Sequence, residues 1–115
     1  MSLINTYNFD IRIGDDVIKE LVFTRDGEVI DLTDYSFKMQ LRANNCGTLI
    51  YELESPSSID ISQAADGIIF LNIPASDTAL FEVQNVIFDL KWFTNLSITT
   101  TILEGNIQIL QTVTR

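Results

Sequence analysis

The chain contains no histidine. This removes the side chain that titrates near neutral pH, the commonest metal ligand, and the base of Ser-His and Cys-His nucleophile pairs. Cysteine is almost as scarce. Cys46 stands alone, so no disulfide can close within the chain. It sits in the turn sequence Asn44-Asn45-Cys46-Gly47 with no basic neighbour to lower its pKa, and reads as an incidental loop residue. Cations are few: 7 Lys and Arg stand against 16 Asp and Glu, for a net charge of −9. Lys and Arg hold nucleic-acid phosphates and anionic lipid, so this balance argues against both as partners. Like charge instead keeps copies apart until a specific contact forms. No apolar run approaches the ~20 residues of a membrane span. The first ten residues include Asn5, Asn8 and Asp10 but neither Lys nor Arg, unlike the basic-then-apolar start of a secretory signal. The expectation is a product of the cytoplasm, used there or released by lysis.

A hydrophobic share of 46% with 20% charged residues is ordinary for a globular protein. At 115 residues the chain fits one domain spanning residues 1–115. Such a domain buries roughly two-thirds of its extended surface and needs no staple. Its organising stretch is Gly27 to Arg42. Tyr35, Phe37, Met39 and Leu41 take one parity, and Ser36, Lys38, Gln40 and Arg42 take the other. A period of two predicts a strand with one buried and one wet face.

The same alternation runs through Tyr7, Phe9, Ile11 and Ile13, and weakens in Val17 to Thr24. Asp26-Gly27 predicts a tight hairpin, because both central positions tolerate positive φ. Asp31 to Asp34 predicts a polar corner in which Asp and Thr bond to backbone amides two residues on. Further strands are expected at Thr48 to Glu54, Ile59 to Ser62, Ile68 to Ile73 and Val86 to Phe93, with a turn at Ala64 to Gly67. Pro74 to Phe81 predicts one short helical turn, capped by Ser76 and crossing from one sheet edge to the other. In Ile98 to Val113, Ile98 and Ile102 share one parity, whereas Leu103, Ile107, Ile109 and Val113 share the other. A bulge near Glu104-Gly105-Asn106, or a strand passing between sheets, would reconcile them. Eight or nine short strands with frequent turns predict an all-β fold. The expected form is a two-sheet antiparallel, immunoglobulin-like β-sandwich, with a small β-barrel as the alternative.

No residue set carries chemistry strongly. Asp15-Asp16, Asp31, Asp34, Asp66 and Asp77 fall in turns, and none supplies the ligand series of a calcium loop. Asp89 reads as a solvated strand residue beside Lys91. Trp92 and Tyr51 lie on core parities, which favours packing over sugar stacking. No catalytic, cofactor or metal residue is therefore assigned. The informative oddity is apolar residues on wet parities: Ile50, Phe70, Ile87 and Phe93. Either both faces of their strands are covered within the domain, or one outer sheet face is sticky and meets another chain, a partner or a second copy.

Four segments in order are similar to small bacteriophage virion proteins whose sandwich module resembles the N-terminal domain of baseplate upper proteins. They are Asp26-Gly27 with Ile30 to Tyr35 running to Met39-Gln40-Leu41-Arg42; Asp66-Gly67 with Ile69 to Ala79; Phe88-Asp89-Leu90; and Leu103-Glu104-Gly105 ending at Val113-Thr114-Arg115. The resemblance implies a non-enzymatic structural protein of a phage or prophage tail or baseplate. Such a protein is made in the bacterial host cytoplasm, resides in the virion, needs no cofactor and docks to other virion proteins. Baseplate upper proteins carry a long receptor-facing extension after the sandwich. This sequence runs to Arg115 without one, which narrows the expectation to an accessory component of the tail or head–tail region. A carbohydrate-binding host-adhesion module is the alternative.

Overall fold

The computed structural model describes residues 5–43, 47–95 and 98–111, with residue 5 as backbone alone. The polypeptide forms eleven strands: β1 (Asn5–Thr6), β2 (Phe9–Arg12), β3 (Val17–Val22), β4 (Thr24–Arg25), β5 (Glu28–Val29), β6 (Ser36–Ala43), β7 (Leu49–Glu54), β8 (Ile59–Asp60), β9 (Ile68–Ile73), β10 (Gln84–Phe93) and β11 (Thr99–Leu110). A six-stranded sheet runs β1-β11-β10-β6-β7, with β2 following β1 along the same side of β11. A three-stranded sheet runs β3-β9-β8, and β4 and β5 form a separate ribbon. The two larger sheets pack face to face as a β-sandwich.

The organising strand behaves as its pattern requires. Phe37, Met39 and Leu41 of β6 are 0–2% exposed, and their alternates face outward. β6 is interior, flanked by β10 and β7, which explains why its inner side chains are so completely covered. Val86, Phe88, Leu90 and Trp92 of β10 join them, with Ile107 and Ile109 of β11 alongside. Ile69, Leu71 and Ile73 of β9 close the core from the other sheet. Tyr35 precedes β6 and meets Trp92 edge-on at 4.8 Å between ring centres, which covers one end of the core.

Turn chemistry is also as read. Asp26 and Gly27 take φ of 54° and 83°, and Arg25 pairs with Glu28 across them, giving a two-residue hairpin loop. Asp31 Oδ1 accepts from the Thr33 amide at 3.0 Å, and Leu32 is turned wholly inward.

Several expectations change. The sheet is antiparallel except at one edge, where β1 and β2 both run parallel to β11. Of the alternating stretch from Tyr7 to Ile13, Phe9–Arg12 forms β2, and Tyr7 and Asn8 link it to β1. The Tyr7 amide bonds to the Glu104 carbonyl at 2.9 Å, and the Asn8 side chain accepts from the Asn106 amide at 2.9 Å. The parity conflict in the last strand is resolved by an extra residue at Ile102, between the pairs Leu90–Leu103 and Lys91–Thr101, and not at 104–106. Ile102 and Leu103 are consequently both buried. Gly105 has a different role. A Cβ there would lie 1.9 Å from the Tyr7 carbonyl oxygen, so only glycine lets the parallel neighbour approach.

The helical turn α1 spans Ala75–Thr78 with Pro74 at its N-cap, and Ser76 does not cap it. Asp16 does so from the β2–β3 turn, accepting from the Ala75 amide at 2.7 Å. Thr78 is wholly buried; its hydroxyl donates to the Asp15 carbonyl at 2.7 Å and accepts from the Gly14 amide at 3.1 Å. The turn connects β9 of the smaller sheet to the interior strand β10 of the larger one, so it crosses between sheets and not from edge to edge. A second, 3-10 turn covers Ala64–Asp66, where a simple turn was expected. Cys46 and Val113 lie outside the described residues, as does most of the turn expected at 44–47. No helix is long and apolar enough to cross a membrane among the described residues.

Candidate functional site

The side chains that could meet another molecule lie on the two outer sheet faces and along the open edges. On the six-stranded sheet, the residues alternating with the core are mostly charged or amide-bearing. The pairing sets Lys38 of β6 opposite Lys91 of β10, and Asp89 of β10 opposite Glu104 of β11. Like charges directly opposite repel, so this face gives up some stability. Gln40 lies opposite Asp89 and donates to Glu52 Oε2 at 2.6 Å, and Arg42 bonds to the Gln40 side-chain oxygen at 2.8 Å. An open depression of about 390 Å³ lies among Gln40, Arg42, Asp89 and Glu104.

Asp89 and Glu104 are two carboxylates brought together by strand pairing, which the linear sequence did not reveal because 15 positions separate them. They form no acid–base site of the enclosed kind. Glu104 is exposed and the depression is open to solvent. Among the described residues, no group of three or more His, Cys, Asp or Glu is placed to hold a metal ion. The turn carboxylates have structural partners. Hydrogen bonds from the Thr33 hydroxyl and amide hold Asp31 below the usual carboxylate range. Bonds from Ser62, the backbone amide first, do the same for Asp60.

The four apolar residues singled out on wet parities are not brought together. Ile87 and Phe93 share the outer face of β10, six residues apart, and Ile87 is 38% exposed. Phe70 lies on the outer face of β9, on the opposite side of the sandwich. Ile50 is the extra residue at a shift in pairing between Leu41–Tyr51 and Arg42–Leu49, and it packs against the core. A single face containing all four does not exist.

What the four-residue reading missed is the outer face of the three-stranded sheet. Ile18 and Val22 of β3 are 68% and 51% exposed. Val22 pairs with half-buried Ile68, and Glu20 between them pairs with half-buried Phe70. Lys19 takes the inward parity in their place, with its ammonium 5.1 Å from the centre of the Phe9 ring. Val17 and Leu21 face inward with Lys19, while Ile18 and Val22 face outward with Glu20. Each parity thus carries two apolar residues and one charge, which is why the alternation looked weak. An aliphatic stem that packs inward while its charge rests on an aromatic face is the physical reason lysine is tolerated there.

A second apolar surface lies where β7 meets the turn after α1. Leu49, Ile50, Tyr51, Leu80 and Phe81 line a groove of about 430 Å³, with Asp77 and Glu82 in its walls. The Tyr51 hydroxyl donates to Asp77 Oδ2 at 2.5 Å, and its ring meets Phe81 edge-on at 5.4 Å. Burial, then the bond to Asp77, pushes the Tyr51 hydroxyl up to about 12. Trp92 is 5% exposed and belongs to the core, and Tyr51 is half-buried and packs against it.

No protein-family model and no curated protein matches the chain. Solved structures resemble it in strand arrangement. The immunoglobulin-like domain of mouse leukocyte-associated immunoglobulin-like receptor 1, a strand-swapped dimer, aligns over 90% of this chain and 88% of its own at 11% identity and TM-score 0.46. CopC from Methylosinus trichosporium OB3b aligns over 91% and 89% at 10% identity and TM-score 0.46. A sialyltransferase from Photobacterium sp. JT-ISH-224 aligns over 96% of this chain but only 18% of its own, at 14% identity and TM-score 0.44. These are loose resemblances of strand arrangement alone; by its own two packed sheets the protein is an all-β sandwich.

Proposed function

We propose that this protein is a non-enzymatic structural component of a bacteriophage or prophage-encoded tail, working by docking to other virion proteins. The observation that carries the docking part is the outer face of the three-stranded sheet, where Ile18 and Val22 stand 68% and 51% exposed beside Ile68 and Phe70. Burying one such side chain is worth about 1.5–3 kcal/mol, which a chain gains only by covering it. The virion setting rests on the ordered similarity of four segments to baseplate-type sandwich modules. The first of those segments has a defined structural basis: the Asp26-Gly27 hairpin and the corner around Leu32 lead into the interior strand β6.

The partners are other virion proteins. The assembling surface interleaves apolar and acidic residues: Glu20, between Ile18 and Val22 on β3, and Asp60 on β8 flank Phe70. Mass spectrometry of purified particles tests the proposal. The protein is expected among the virion proteins, and replacing Ile18 by Glu is expected to deplete it from particles while leaving the isolated domain folded. Particles that lack the wild-type protein would end the virion reading.

A further inference from the structure

We infer that the groove beside β7 binds an extended segment of another protein in which basic and apolar residues alternate, added as a strand to the open edge of β7. The inference rests on the docking reading and gives it a place and a partner chemistry.

Among the described strands, β7 pairs only with β6. The phase of that ladder follows from one bond. The Ser55 amide donates to the Phe37 carbonyl at 3.0 Å, and register then places Met39–Leu53 and Leu41–Tyr51 in the same bonded phase. The backbone groups of residues 52 and 54 accordingly turn away from β6. At Glu54 they are already engaged: its amide donates to Ser58 Oγ at 2.9 Å, and its carbonyl accepts from the Ser58 amide at 2.9 Å. At Glu52 they face the open edge. The irregularity at Ile50 ends the regular edge, so a strand added here is short and side chains must supply the rest.

The side chains state what that strand carries. On the outer parity β7 presents Glu52 and Glu54; on the inner parity it presents Tyr51 and Leu53. A strand paired to it alternates in the same phase, so its outward residues meet carboxylates and its inward ones meet an apolar rim. The groove continues this rule. Leu80 is 81% exposed and Leu49 46% exposed, while Asp77 and Glu82 supply further negative charge and no Lys or Arg lines it. A second copy is a poor occupant. Both copies carry a net charge of −9, and antiparallel pairing of β7 with itself about Glu52 or Leu53 sets Glu52 against Glu52 or Glu54. Acidic side chains on an exposed edge bar self-pairing while leaving a basic strand welcome.

Fluorescence anisotropy with three labelled heptapeptides tests this: alternating Lys and Val, alternating Glu and Val, and alternating Lys and Ser. Saturable binding is expected for the Lys-Val peptide alone, weakening with added salt. Leu80→Ser, at a solvent-exposed position, is expected to weaken it about tenfold, as the loss of one buried aliphatic contact implies. Glu82→Lys should weaken it as well, and Ile18→Ser on the far sheet should leave it unchanged. Equal binding of the Lys-Ser peptide would reduce the effect to bare charge attraction and overturn the inference. An unchanged affinity in Leu80→Ser, or no saturable binding of the Lys-Val peptide, would overturn it too. Particle analysis separates the two claims. Failed peptide binding with the protein still in virions sinks only the groove, and intact peptide binding with the protein absent from virions sinks only the phage reading.

Discussion

The two outer faces of the sandwich are built on opposite terms. The six-stranded sheet turns outward a charged lattice that includes two like-charge pairs, Lys38 with Lys91 and Asp89 with Glu104. The three-stranded sheet turns outward Ile18 and Val22 beside Phe70. The wide sheet can bear repulsion because its inner face buries most of the core and its central strands are paired on both sides. The narrow sheet has an exposed apolar face that contributes nothing to its own core. Like-charge repulsion and exposed aliphatic surface thus fall on different sheets, and each can be altered separately.

The largest effect is expected at the parallel edge of the wide sheet. Gly105→Ala forces a Cβ to 1.9 Å from the Tyr7 carbonyl, so β1 and β2 must move off β11. A loss of about 3–4 kcal/mol in urea unfolding is expected, and a cost below about 1 kcal/mol would show that this edge does not matter to the wide sheet. Next comes Thr78→Val, which keeps the volume but strips the hydroxyl that ties α1 to the Asp15 carbonyl and Gly14 amide. It should cost about 1–3 kcal/mol by the same assay, because a donor and an acceptor lose a buried partner.

At the junction of groove and edge, Tyr51 titrates at about 12 in the folded protein, above the value of about 10 expected unfolded. The folded state therefore holds this proton more tightly. Its contribution is fully present below pH 10 and is lost as pH rises from there through 12. Tyr51→Phe should remove that part of the alkaline loss of stability, and an identical alkaline profile in the variant would refute the assignment. Glu104→Gln relieves the repulsion with Asp89 and should stabilise the wide sheet by about 0.2–1 kcal/mol. Smallest in stability is the pair Ile18→Ser with Val22→Ser, expected within about 0.5 kcal/mol of the parent. Any concentration-dependent association seen by sedimentation should disappear in that double variant. Association that persists would move the sticky surface elsewhere.

Much of the fold was legible because turn chemistry and parity are local. Asp26-Gly27 requires positive φ whatever surrounds it, and Phe37, Met39 and Leu41 alternate whatever their partners are. The candidate surface was legible only as a suspicion. Parity marks Phe70 and Ile87 as outward but cannot say that they lie on opposite sides of the sandwich. It also left the faces of β3 open, where Lys19 faces in and Ile18 faces out, because each parity there carries two apolar residues and one charge.

The sequence by itself determined the strand-forming period, the tight turns and the acidic charge, since each depends on residues a few positions apart. Tertiary structure decided the parallel pairing of the N-terminal strands, the extra residue at Ile102 and the Asp16 cap on α1. It also decided the meeting of Asp89 with Glu104 and the groove beside β7. Each of these depends on which distant backbone comes within hydrogen-bonding or van der Waals reach, and that is set by how two sheets close over one core.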